Sequence, residues 1–255
     1  MTPDLTFLIV LTISVTILGL SKGGFAGIGM VSTPLVAAFS DPLMAVALML
    51  PIMLVQDVVA VYLYRFEFEK SLLIKMIPGG LLGVLAAYLL ASSVPEWVIK
   101  AALGAVSLLF SIWQAVLMAR GMPEIPAKPR HDTLLGVAAG AAGGFASAIA
   151  HAGSPPFQIY VMPKHLRKEI YVGTSVMFFA ALNLMKLPSF VALGFFNSET
   201  LHLSLFFIPL AVASSWAGSR LVRYVDPRAF NLIITLILFF VSFVLIWQAY
   251  VDAIA

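Results

Sequence analysis

Residues 43–64 read LMAVALMLPIMLVQDVVAVYLY, twenty-two positions that carry one charged side chain, Asp57. A run of this length and composition matches the roughly 20 residues an α-helix needs to cross the hydrocarbon core of a bilayer. It lacks the dyad alternation of a barrel strand, and a lipid-exposed backbone must satisfy its own hydrogen bonds, so a helix is the expected form. Further apolar segments lie at 5–20, 25–39, 72–92, 97–118, 133–150, 155–162, 170–196, 201–222 and 228–251. Those at 5–20, 25–39 and 155–162 are too short to span. The break in 5–39 is Ser21-Lys22-Gly23-Gly24-Phe25, and the break in 133–162 contains Gly143-Gly144-Phe145 and Ser154-Pro155-Pro156, residues that helix interiors accommodate poorly. Each interrupted pair is expected to form two short crossings or a re-entrant hairpin, and either returns the chain to the side it left.

Composition agrees with this reading. Of 255 residues 61% are apolar and 11% charged, against roughly 45–50% and about 25% in soluble domains. Too few polar residues remain to clothe a water-soluble core. The net charge of +3 resides mostly in short connections between apolar segments, a pattern of membrane orientation rather than of a nucleic-acid surface. The absence of cysteine excludes a disulfide framework and a thiolate metal site. With no paired-carboxylate or His-rich constellation either, no metal and no cofactor is expected. The first apolar stretch lacks a basic leader and an A-x-A cleavage site, so it is expected to remain as a helix.

The two halves of the chain resemble each other. Gly23-Gly24-Phe25-Ala26 recurs as Gly143-Gly144-Phe145-Ala146, Ser32-Thr33-Pro34 as Ser154-Pro155-Pro156, Ile77-Pro78 as Ile208-Pro209, and Trp113-Gln114-Ala115 as Trp247-Gln248-Ala249. Lys and Arg concentrate in connections 65–75, 119–132, 163–169 and 220–228 and are missing from 40–42, 92–96 and 197–200. Because basic loops lie on the cytoplasmic side, both termini are expected outside and the 119–132 linker inside. The expected fold is therefore an all-α integral membrane protein of two inverted-topology repeats, 1–118 and 133–255, joined by the cytoplasmic linker. Each repeat is a broken or re-entrant helix pair plus three spanning helices. Transporters built this way hold substrate near the midplane at interrupted helices.

Gly19-Leu20-Ser21-Lys22-Gly23-Gly24-Phe25 followed by Thr33-Pro34-Leu35 resembles the first signature of the sulfite exporter TauE/SafE family. Gly144-Phe145-Ala146-Ser147, His151-Ala152-Gly153-Ser154-Pro155-Pro156, Tyr160, Gly173-Thr174-Ser175 and Asn183-x-x-Lys186-Leu187-Pro188 resemble its second signature in order and spacing. The resemblance covers roughly residues 5–250. Ser154 departs from it, standing where a second glycine is expected after Gly153. What the resemblance implies is transport, as export, of sulfite, sulfonates or related anions across a bacterial inner membrane, with the lipid bilayer as surroundings and room for a homodimer.

The residues themselves suggest where an anion would bind. Glycines at the two breaks, Gly23, Gly24, Gly144 and Gly153, let backbone N–H groups approach a ligand, and a following half-helix presents its positive end. The competing reading is that such small residues serve close helix packing. Ser32, Thr33, Ser147, Ser154 and Gln158 can add neutral donors, with Phe25, Pro34, Pro155 and Pro156 at the same breaks. Lys22 either neutralises the anion at bilayer depth or snorkels to the headgroups. Asp57 and Lys186 occupy equivalent, deep positions in the two halves and are expected to form a structural pair, the alternative being that they bind substrate, with Asn183 on the Lys186 face. His151 follows Ser147 by one turn, the spacing of a nucleophile and base, but no carboxylate lies within 133–162 to orient the imidazole, so a binding or proton-handling histidine is preferred to a hydrolase.

Overall fold

The structure is a computed structural model and describes residues 4–23, 28–91, 95–120, 132–221 and 227–254. All the regular elements among them are helices: α1 (Leu5–Gly23), a 3-10 turn (Ile28–Val31) leading into α2 (Ser32–Ala37), α3 (Pro42–Tyr64), α4 (Lys70–Ala91), α5 (Glu96–Arg120), α6 (Asp132–Ala150), α7 (Ser154–Val161) with a 3-10 turn (Met162–Lys164), α8 (Lys168–Ala192), α9 (Ser198–Phe206), α10 (Ile208–Leu221) and α11 (Pro227–Ile254). Seven are long and apolar enough to cross a membrane, and an eighth span results if α9 and α10 are taken together. Local chemistry sets several boundaries. Asp41 caps α3, its carboxylate accepting from Met44 N at 2.9 Å, with Pro42 in the first turn where no N–H is missed. Asn197 and Thr200 form a reciprocal cap on α9. The expected single span 201–222 is bent by 45° between α9 and α10. Pro209 sits just past that bend and has no N–H for the preceding turn.

The helices pack in exchanged pairs. α1 lies along α10 and α6 along α4, each pair parallel: Gly19 meets Ser214 and Gly23 meets Gly218, while Gly79 meets Val137 and Gly83 meets Ala141. α3 crosses α8 antiparallel, Asp57 against Asn183 and Leu50 near Phe190. α5 runs antiparallel to α11, with Lys100 bonded to Asp252 at 2.6 Å. Outward from that last pair stand Leu109, Ile112, Phe240, Phe243 and Trp247, an apolar surface suited to lipid.

The expected break at Gly143-Gly144 is corrected by this packing. α6 runs unbroken to Ala150 and its interruption falls at His151–Gly153. Gly136, Gly140 and Gly144 form a stripe at four-residue spacing against α4, where a Cβ on Gly140 would strike Met76 O and one on Gly144 would strike Gly80 O. These glycines allow the two backbones to touch, as small residues do in membranes. α1 likewise continues through Lys22 to Gly23, beyond the apolar segment that ends at Leu20. At one end of the bundle Asp132, the first residue of α6, accepts from Lys75 on α4 at 2.6 Å and from Lys164 beyond α7, tying the interrupted pair to its neighbour.

Candidate functional site

α1, α3, α6, α7 and α8 meet around a cavity of about 50 Å³. A single water needs roughly 10–15 Å³ by this kind of measure, so the cavity has room for a few waters or one small oxyanion head. Its wall is polar: Ser21 and Lys22 from α1, Asp57 from α3, Ser147 and His151 from the end of α6, Ser154 from the start of α7, and Ser175 and Asn183 from α8. Leu18, Gly29, Met30, Met53, Val176 and Phe179 complete it. All but Lys22 and Phe179 are buried, and the Lys22 side chain is 10% exposed.

Two hydrogen-bonded groups border this space. In the first, the Lys22 ammonium is ion-paired with Asp57 Oδ1 and donates to Met53 O at 3.3 Å, while Asn183 Nδ2 donates to Asp57 Oδ2 at 2.6 Å. In the second, Lys186 Nζ donates to Ser147 O at 3.2 Å, to Ser147 Oγ at 3.1 Å and to His151 Nδ1 at 2.8 Å. Three acceptors match the three N–H groups of an ammonium. With Nδ1 accepting, the imidazole is the neutral tautomer whose Nε2–H donates to Val46 O at 3.0 Å. His151 is held there in the left-handed region, φ 51°, an arrangement that costs a non-glycine residue of order 1–3 kcal/mol and persists where surroundings impose it.

The expected Asp57–Lys186 pair is thus not the one formed. Asp57 takes Lys22 and Asn183, and Lys186 turns to the end of α6. One helical turn separates Asn183 from Lys186 and directs them to different partners. Lys22 turns inward onto Asp57 rather than away from the bundle. Counted as formal charges, Lys22 and Lys186 stand against Asp57, which with His151 neutral is a formal net charge of +1 at and beside the cavity.

The other expected residues divide. Ser147, His151 and Ser154 line the cavity; Gly153 lies beside it, where a Cβ would meet Gly143 O at 2.8 Å and Ser147 Cβ at 3.1 Å. The first residue of α7 is Ser154, so a helix N-terminus does arrive here. Pro155 and Pro156 supply no N–H, which leaves the serine hydroxyl as a substitute donor. Gln158 is buried one turn further with Nε2 unpartnered. Ser32 and Thr33, buried at the start of α2 with no partner for their hydroxyls among the described residues, and the neighbouring Pro34 do not line the cavity. Gly23 serves the α10 contact and its carbonyl accepts from Tyr64 at 2.6 Å, and Gly144 serves the α4 contact. Gly24 and Phe25 lie outside the described residues. Sequence reasoning left out Ser21, Ser175 and Phe179 as site residues. Ser175, Phe179 and Asn183 recur at four-residue spacing on α8, a signal that stepping back from Asn183 would have found.

A second cavity, of about 310 Å³, is lined by Lys186, which bonds to His151 in the wall of the first. Its wall is apolar apart from Lys186, Ser189 and Tyr88, and includes Val46, Ile99, Ile149 and Phe190. Along α3 the two cavities sit some ten positions apart, Leu43 and Val46 against Met53 and Asp57, or about 15 Å of helix.

A model of the family described as sulfite exporter TauE/SafE matches residues 11–245. No curated protein and no solved structure matches the chain.

Proposed function

The chain belongs to the sulfite exporter TauE/SafE family, a family of membrane transporters, and we propose that it exports a small sulfur-containing anion, sulfite or a sulfonate, across a bacterial inner membrane. The observation that carries this reading is the cavity at the interrupted helices, a space fit for an SO3 head whose wall holds the Lys22–Asp57 pair and whose Ser147 and His151 are held from behind by the buried Lys186. A buried net positive charge is costly in hydrocarbon and is relieved by an anion. Hydroxyls of Ser147 and Ser154 supply directional donors around it. An interior-negative membrane drives a monoanion outward with roughly 2.3 kcal/mol per 100 mV, so export needs no further energy source.

The two halves are read as inverted repeats. Equivalent helices run antiparallel at their contacts, α3 with α8 and α5 with α11, while α1 on α10 mirrors α6 on α4, as an in-plane twofold axis requires. Cysteines placed at Ala127 and Ser198 are therefore expected to label from opposite sides of intact cells; labelling from one side would remove the inverted orientation.

The function is tested by reconstituting the protein in liposomes with a panel of labelled solutes. Sulfite and methanesulfonate are expected to cross and acetate to cross more slowly, while neutral dimethyl sulfone is excluded. Flux of the neutral solute without the anions would overturn the reading.

A further inference from the structure

Lys186 and His151 stand between the two cavities. His151 lines the polar cavity and not the apolar one, Lys186 lines the apolar cavity and not the polar one, and the 2.8 Å hydrogen bond between them closes the gap. Val46, whose carbonyl fixes His151 Nε2 at 3.0 Å, belongs to the apolar wall. One side-chain layer therefore separates two spaces that lie at successive depths along α3 and α8.

Resting on the anion-transport reading, we propose that His151 is the proton-binding site of this partition, and that a proton and the anion bind together to open it. The chemistry follows from one lone pair. Nδ1 accepts from Lys186 while the imidazole is neutral; a proton from water in the polar cavity, placed on Nδ1, occupies that lone pair and leaves two cationic donors face to face. The Lys186–His151 bond is lost, whereas Nε2–H keeps its hold on Val46 O, so the imidazole stays and Lys186 is released. Its stem already borders the apolar cavity, and its ammonium retains Ser147. An anion in the polar cavity screens the two cations from each other, so each ligand strengthens the binding of the other.

The charged groups around His151 agree with this assignment. From α8 it faces Lys186, with Asn183 one turn away; α1 contributes Lys22 and α3 contributes Asp57, which are already paired with each other; α6 contributes Ser147. No carboxylate among the described residues bonds to His151, so a bound anion is the counter-charge to its protonated form. The proton returns to the polar cavity once the anion has left and Lys186 regains Nδ1, because His151 borders that cavity alone of the two. No proton crosses with the anion.

The test is proton uptake on binding. Purified protein in lightly buffered detergent solution is titrated with methanesulfonate, whose own charge is constant between about pH 5 and 8, the window in which imidazole titrates. Wild type is expected to take up as much as one proton per anion bound, with affinity falling by up to about tenfold per pH unit on the alkaline side. His151→Asn, a residue that tolerates the left-handed region, is expected to bind more weakly, without pH dependence and without proton uptake. Binding by wild type with no proton uptake overturns the partition and leaves the transport reading standing. Proton uptake that persists in His151→Asn overturns the assignment to His151. Failure of wild type to bind methanesulfonate at any pH removes the sulfonate reading and this inference together.

Discussion

Asp57→Asn is expected to lower stability by about 3–5 kcal/mol, the range found when one partner of a buried ion pair is removed and the other is left uncompensated. Here the residue left behind is Lys22, 10% exposed on its side chain and facing a cavity with no other carboxylate in its wall among the described residues. Thermal melting in detergent reads the loss directly. The double variant Lys22→Met/Asp57→Asn removes both charges and is expected to recover most of the stability. Its transport should stay low, because the Lys22 and Asp57 side chains also shape the cavity wall and Asp57 fixes Asn183. A double variant as unstable as the single one would show that the pair is not what holds α1 to α3.

Lys186→Met is expected to do the opposite: stability within about 1–2 kcal/mol of wild type and loss of transport. Lys186 is fully buried and no carboxylate touches it among the described residues, so its charge is not recovered by an ion pair. Replacing it with an apolar side chain of similar length removes that burden. It leaves His151 Nδ1 without a donor, an opposing penalty of about 1–3 kcal/mol. The formal net charge at and beside the cavity falls from +1 to zero, and with it the attraction for an anion. Sulfite flux in liposomes and melting in detergent, measured on the same preparation, separate the two effects. Retained flux would remove Lys186 from the anion path, and a collapse in stability would make its role structural.

Much of the fold is legible in the hydropathy, because lipid forces the backbone into helices and the spans need about 20 apolar residues. What hydropathy misplaces has particular causes. Its apolar segment ends at Leu20, yet α1 continues past Lys22, since Asp57 on a different helix meets that lysine's charge. Gly143-Gly144 looks like a break because glycine weakens helices in water. In the fold Gly144 lets the α4 backbone touch at Gly80 while Gly143 lies against Gly153 and Phe178, and the break moves to His151–Gly153. For the site, the deep polar residues Lys22, Asp57, Ser147, His151, Asn183 and Lys186 stand out in so apolar a chain, and all of them lie at or beside the two cavities. Their pairing does not stand out. The rotation of α8 about its axis sends Asn183 to Asp57 and Lys186 to His151, and nothing in sequence spacing specifies that rotation.

The central claim, that this cavity passes a small sulfur oxyanion with its charge, is tested most directly by sulfite flux into proteoliposomes under an imposed potassium diffusion potential. The expected result is uptake that accelerates as the interior is made positive, carries net negative charge inward, and is abolished in Lys186→Met. Wild-type liposomes that take up no more sulfite than protein-free ones, or that take it up at a rate indifferent to the potential, would contradict it.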